Sequence, residues 1–118
     1  MHELAPGDVL WVDFGRTVGT EQRGRRPAVV VGSAAHSSGT GDLVIVVPCT
    51  SRFRGWRSHL PLTGELRLEQ PTYAMTEQPR AISRRRIRRH IGSLHGRCRQ
   101  DIALAVRSWV DAPPLFDR

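Results

Sequence analysis

Apolar and polar residues alternate from Val9 to Phe14, with Val9, Trp11 and Asp13 set against Leu10, Val12 and Phe14. A period of two predicts a β-strand that is exposed on part of one face. Arg26 to Gly32 is a second, valine-rich run and predicts a buried strand. Small and polar residues with two glycines, 34–41, predict a loop. Asp42 to Val47 reads as a central third strand. Pro48 has no N–H to give to a ladder, so Pro48-Cys49-Thr50-Ser51 is expected at a strand end or edge. Ser58 to Leu62 and Thr72 to Thr76 predict shorter strands, separated by the break Thr63-Gly64-Glu65. Ser83 is placed to cap a short helix over Arg84 to Arg89, and Ile91 to Leu94 suits a short final strand. The period then lengthens. Cys98, Ile102, Ala105, Val106 and Trp109 follow helical spacing, with Arg97, Arg99 and Arg107 on other faces. Pro113-Pro114 ends this helix, whose start at His95-Gly96 lacks a good cap. Many short strands and one C-terminal helix predict a mainly β fold, a compact and strongly bent antiparallel barrel.

The length of 118 residues predicts one domain, with a core over about 7–111 and a tail over 112–118. The net charge is +7, and all 18 basic residues are arginine. Guanidinium stays charged, forks onto phosphate oxygens and stacks on planar rings. Such a surface implies an anionic partner: nucleic acid, an acidic protein segment, or both. The apolar runs are too short to span a bilayer, and the N-terminal residues lack the pattern of a signal peptide, so a cytoplasmic location is expected. Cys49 and Cys98 are expected reduced, and no spaced His/Cys cluster predicts a metal or another cofactor.

The most informative segment is Gly19-Thr20-Glu21-Gln22-Arg23-Gly24-Arg25-Arg26-Pro27, a polar, arginine-rich loop between two strands. Such a loop can set cations and a carboxylate beside an anion. Together with Gly7-Asp8, Trp11-Val12-Asp13-Phe14, Ala28-Val29-Val30, Val47-Pro48-Cys49-Thr50-Ser51 and Glu77-Gln78-Pro79-Arg80, it resembles the MazF/PemK/Kid toxins in order and spacing from Gly7 to Trp109. The resemblance implies an SH3-like barrel with a C-terminal helix, acting as a homodimer. It implies metal-independent, sequence-specific cleavage of single-stranded RNA, chiefly mRNA, that leaves 2′,3′-cyclic phosphate and 5′-hydroxyl ends. It also implies a cognate antitoxin whose acidic, disordered tail occupies the RNA groove.

On that resemblance the catalytic candidates are Arg26, Thr50, Glu21 and Glu77. Attack by a 2′-OH needs a base, a cation for the crowded phosphorane and an acid for the leaving oxygen. Arg26 suits the cation and is too basic to be a classical base. The Thr50 hydroxyl can bond a phosphate oxygen or the attacking 2′-OH, or simply satisfy local backbone. Glu21, ringed by arginines, is either a base or an organiser of its loop. Glu77 matches an acid that some members use as base, although Met75 stands where Kid-like members carry an arginine. Candidate RNA contacts are Gln22, Arg23, Arg25, Ser51, Arg52, Trp56, Gln78, Arg80, Arg84 and Arg86. The Arg84–Arg89 run serves RNA or an acidic tail, or is a solvated basic face. Phe53 and Trp56, interleaved with arginines, can stack bases or cover apolar surface. Trp11 and Trp109 are expected in the core or an interface, and His59 and His90 carry no specific expectation. Two rival functions share the basic charge: a CcdB-like gyrase poison and a non-catalytic RNA-binding barrel.

Overall fold

The computed structural model describes residues 3–15, 24–32 and 41–110. Seven strands follow in order: β1 (Asp8–Asp13), β2 (Arg25–Val30), β3 (Leu43–Thr50), β4 (His59–Pro61), β5 (Tyr73–Met75), β6 (Arg80–Ser83) and β7 (Ile87–Ser93). A C-terminal helix, α1 (Gly96–Val110), completes the fold. The sheet order is β4-β5-β3-β2-β1-β7, with β6 also paired to β3, and every pairing is antiparallel. The sheet is bent but its end strands, β4 and β7, do not pair, so the barrel stays open.

The bend centres on β3. Its first half, Leu43 to Val46, pairs with β6, and its end, Cys49 and Thr50, pairs with β5. Pro48 falls between these two partners, and the strand ends two residues later at Thr50, so this segment forms the strand's end as the sequence suggested. A residue without an N–H is tolerated at such a break in pairing.

Because side chains alternate across a strand, the sheet buries both faces. Leu10, Val12, Phe14, Ala28, Val30, Val44, Val46 and Ile82 fill the concave cluster. Val9, Val29, Val47, Cys49, Ala74 and Ile91 lie on the other face, under Leu94 and Ile102. Trp11 and Asp13 remain partly exposed as their alternation predicted, whereas Val9 is fully covered. Each large apolar side chain buried this way contributes about 1.5–3 kcal/mol. Burial pushes the Cys49 thiol well above its ordinary range, with only a partial offset from the Val29 backbone, so Cys49 acts as a core hydrophobe.

Helix α1 matches the predicted element. Ile102 is buried, and Cys98 and Val106 pack beside it on the second cluster. Its first turn holds Arg97 and Arg99 and no acid, which opposes the helix dipole, so packing holds this helix rather than capping. Trp109 is half exposed, yet its indole N–H donates to Thr76 Oγ1 at 3.1 Å and ties the last turn to the sheet. The helix expected over Arg84–Arg89 is instead one 3-10 turn, Arg84–Arg86, running into β7. Ser83 does cap it, accepting from the Arg85 N–H. Six residues with a single apolar member offer no helical face to bury, while Ile87 packs on the concave core and pairs with β1. No helix among the described residues is long and apolar enough to cross a membrane.

Candidate active site

The two leading candidates lie just beyond the last pair of the β2–β3 ladder. Ala28 faces Pro48, Val29 faces Val47 and Val30 faces Val46. Continuing that register by two residues sets Arg26 opposite Thr50, on one face of the sheet. The strand start fixes the Arg26 backbone, since Arg26 also pairs with Val12 of β1. Thr50 is buried, and its hydroxyl oxygen accepts the Arg52 N–H at 3.1 Å. That bond satisfies local backbone and also fixes the hydroxyl, whose proton remains for donation to an anion.

Arg26 opens onto a cleft of about 560 Å³. Arg25, Arg26, Ser51, Arg67 and Arg89 supply its polar lining together with Glu69, Gln70 and Thr72, and Trp11, Pro27 and Leu68 its apolar surface. Four guanidiniums around one aromatic ring favour an anionic, planar ligand. Arg25 and Ser51 were expected here. Arg67, Glu69, Gln70 and Arg89 were not, because the cleft exists only once segment 66–70 folds back over β1 and β7.

The other arginines are engaged differently. Asp13 sits between Arg88 Nη2 at 3.3 Å and Arg25 Nε at 3.9 Å, and accepts the Gly15 N–H at 2.9 Å. The Gly15 bond, then Arg88, outweigh a smaller rise from burial and hold the Asp13 carboxyl below its ordinary range. Arg84 donates to the Gly41 carbonyl at 3.0 Å, and Arg86 to the Asp13 carbonyl at 3.3 Å. These two arginines therefore clamp neighbouring turns. The Arg80 guanidinium lies 5.2 Å from the centre of the Phe14 ring, capping the concave core. Arg52 and Trp56 are exposed in the loop after β3, with Arg54 stacked 5.3 Å from the Trp56 ring centre. Glu21, Gln22 and Arg23 lie outside the described residues.

Glu77 does not line the cleft. It sits beyond β5, whose Tyr73 is the residue that faces Thr50. There His59 Nε2 approaches Glu77 Oε2 at 3.2 Å, and Gln78 Nε2 donates to the same oxygen at 3.1 Å. The His59 side chain is only 3% exposed, with the Trp56 ring 4.9 Å away. Burial pushes the Glu77 carboxyl up, but bonds from its own N–H, Gln78, Ser58 and His59 outweigh it and leave the proton affinity lowered. His59 Nδ1 and Glu77 Oε1 are buried without hydrogen-bond partners among the described residues. Nothing local in the chain announces this pair, whose members lie 18 residues apart. No group of three or more His, Cys, Asp or Glu among the described residues could hold a metal ion.

A bent antiparallel sheet with one covering helix and an arginine-lined cleft defines a small, basic β protein. A family model of PemK-like, MazF-like toxins of type II toxin–antitoxin systems matches residues 5–110. The chain belongs to this family. It is 38% identical over 77 residues to the endoribonuclease toxin MazF of Escherichia coli K12, an alignment that spans 65% of this chain and 66% of that relative. A crystal structure of MazF from Deinococcus radiodurans superposes with a TM-score of 0.80 at 24% identity, covering 93% of this chain and 98% of that one. A MazE–MazF complex from the same organism superposes at 0.67 with 26% identity, covering 92% of each chain.

Proposed function

We propose that this protein is an endoribonuclease toxin that cuts single-stranded RNA at short sequence motifs and is neutralised by a cognate antitoxin. The observation that supports the reading is the β2–β3 register, which when continued past its last pair sets Arg26 opposite Thr50, with Arg26 also lining the arginine-rich cleft. Its likeness to MazF, a named endoribonuclease toxin, supports it, and the MazE–MazF complexes support an antitoxin partner. The family resemblance extends the reading to a homodimer acting on mRNA in the cytoplasm.

The reaction fits these groups. The 2′-OH attacks the adjacent phosphorus, the P–O5′ bond breaks, and the departing 5′-oxygen takes a proton from water, so the products are a 2′,3′-cyclic phosphate and a 5′-hydroxyl. Arg26 stabilises the negative phosphorane with a cation that never loses its proton. The Thr50 hydroxyl donates to a phosphate oxygen. Glu21 or Glu77 takes the 2′-OH proton. The lowered proton affinity of Glu77 makes it a weak base in that role. Ser51, Arg25 and Arg52 extend the phosphate path.

The test is incubation of the purified protein with a long single-stranded RNA in EDTA, beside its Arg26→Ala form, with the cut ends sequenced and typed. Discrete cuts with cyclic-phosphate ends, lost in the folded variant, are expected. A folded wild type that leaves RNA whole overturns the reading and favours the gyrase-poison or binding-module alternatives.

A further inference from the structure

We infer that the cleft over Trp11 reads one base flanking the cut, and that Glu69 selects a base carrying an exocyclic amino group. The inference rests on the nuclease reading above and adds a specificity-determining residue to it.

The floor of the cleft is set by register. Arg89 of β7 and Pro27 of β2 both lie directly opposite Trp11 of β1, so the three share one face across three neighbouring strands. Trp11 is half-buried and packs against the second core cluster, which fixes its ring while leaving part of it open. A fixed indole is a stacking platform for an unpaired base.

The wall is set by alternation in segment 66–70. Leu66 and Leu68 pack into the same cluster, while Arg67 and Glu69 between and beyond them are exposed at the cleft. The segment packs closely over β7 at Gly92. A Cβ on Gly92 would come within 2.8 Å of Leu66 Cδ2. The resulting volume, about 560 Å³, falls in the range of small-molecule sites and can take a nucleotide. Arg26 and Ser51 line the same cleft, so it borders the strand ends that carry the candidate pair, although Thr50 itself lies on the other face of the sheet.

The chemistry of the wall chooses between ligands. The arginines suit a phosphate or a carboxylate equally. Glu69 does not: its negative charge repels an acidic peptide but accepts N–H groups. Adenine, cytosine and guanine each present an amino group, whereas uracil offers one ring N–H between two carbonyl oxygens that a carboxylate repels. Carboxylate acceptance from a base amino group is a known mode of readout.

The test uses an RNA library randomised on both sides of the cut, digested by the wild type and by Glu69→Gln, with every cut end sequenced. Glu69 is exposed, so the substitution leaves the core intact. The wild type is expected to prefer A, C or G over U by about tenfold at one flanking position, the scale of a base-edge pair. In Glu69→Gln that ratio is expected to fall below about threefold, with the rest of the motif unchanged. An unchanged ratio in a cutting variant overturns the inference and leaves the nuclease reading in place. No cutting by the folded wild type overturns both. Weaker capture of a poly-glutamate probe by Arg89→Ala, with an unaltered Glu69→Gln motif, assigns the cleft to an acidic protein segment instead.

Discussion

Gly7→Ala tests how the platform under the cleft is held. Gly7 joins two ends of the sheet: its N–H donates to the Val30 carbonyl at 2.8 Å, and its carbonyl accepts the Leu94 N–H at 2.8 Å. Its φ is +98°, where an L side chain is strained by about 1–2 kcal/mol. An added Cβ would lie 2.7 Å from Arg99 Cδ and 2.9 Å from the Leu94 carbonyl oxygen. The exposed Arg99 chain can swing away. The Leu94 oxygen cannot, because its segment is pinned by the bond back to Gly7. Forcing them apart costs about 1–3 kcal/mol as overpacking, for a total loss of about 2–5 kcal/mol. Gly64→Ala is the control, with φ at +111° and nothing within 4 Å of the new carbon. Entropic effects on the unfolded chain are common to both variants and cancel in the comparison. Urea unfolding with equal slopes is expected to show Gly7→Ala less stable than Gly64→Ala by about 1–3 kcal/mol. A difference under about 0.5 kcal/mol would refute the pinned-carbonyl argument.

Burial raises the Asp8 carboxyl, but bonds from the Ala5 N–H, Ser93 and His90 outweigh it and leave its pKa lowered. Its stabilisation is therefore complete above the unfolded aspartate value and lost as pH falls through the lower folded value. Unfolding midpoints should drop between about pH 5 and pH 2, and Asp8→Asn should flatten that drop; an unaltered slope counts against it. His59→Ala removes a bond to the Glu77 carboxylate and should destabilise the fold by about 1–3 kcal/mol. Because that bond lowers the Glu77 pKa, its loss should move the acidic limb of the cleavage–pH profile upward if Glu77 is the proton acceptor; a fixed limb assigns that role to Glu21. RNA binding should weaken steeply with salt, and Arg89→Ala should make the log–log slope shallower by about 0.7, the value for one phosphate on a single strand. An unchanged slope removes Arg89 from the phosphate path.

Much of the architecture was legible in the chain. The two-residue alternation of β1, the valine runs of β2 and β3 and the helical spacing from Cys98 are local signals, and each produced its element. Arg26 and Thr50 stand out through motif order, and the β2–β3 register, continued by two residues, is compatible with their acting together. Three features were hidden because they depend on distant partners. Ser83 and five arginines look like a capped helix until β1 is present to pair with residues from Ile87 onward. His59 looks idle until Glu77 arrives beside it, and the cleft over Trp11 forms only when Leu66 and Leu68 anchor their segment on the core.

The central claim, that Arg26 and Thr50 act as one unit on the scissile phosphate, is tested most directly by single-turnover RNA cleavage in an Arg26→Ala, Thr50→Val double-mutant cycle. Each folded single variant is expected to lose about 10²–10³-fold in rate. The double variant is expected to lose little more than the worse single one, because groups serving one transition state are strongly non-additive. Losses that simply multiply would contradict the account and place the two residues in separate roles.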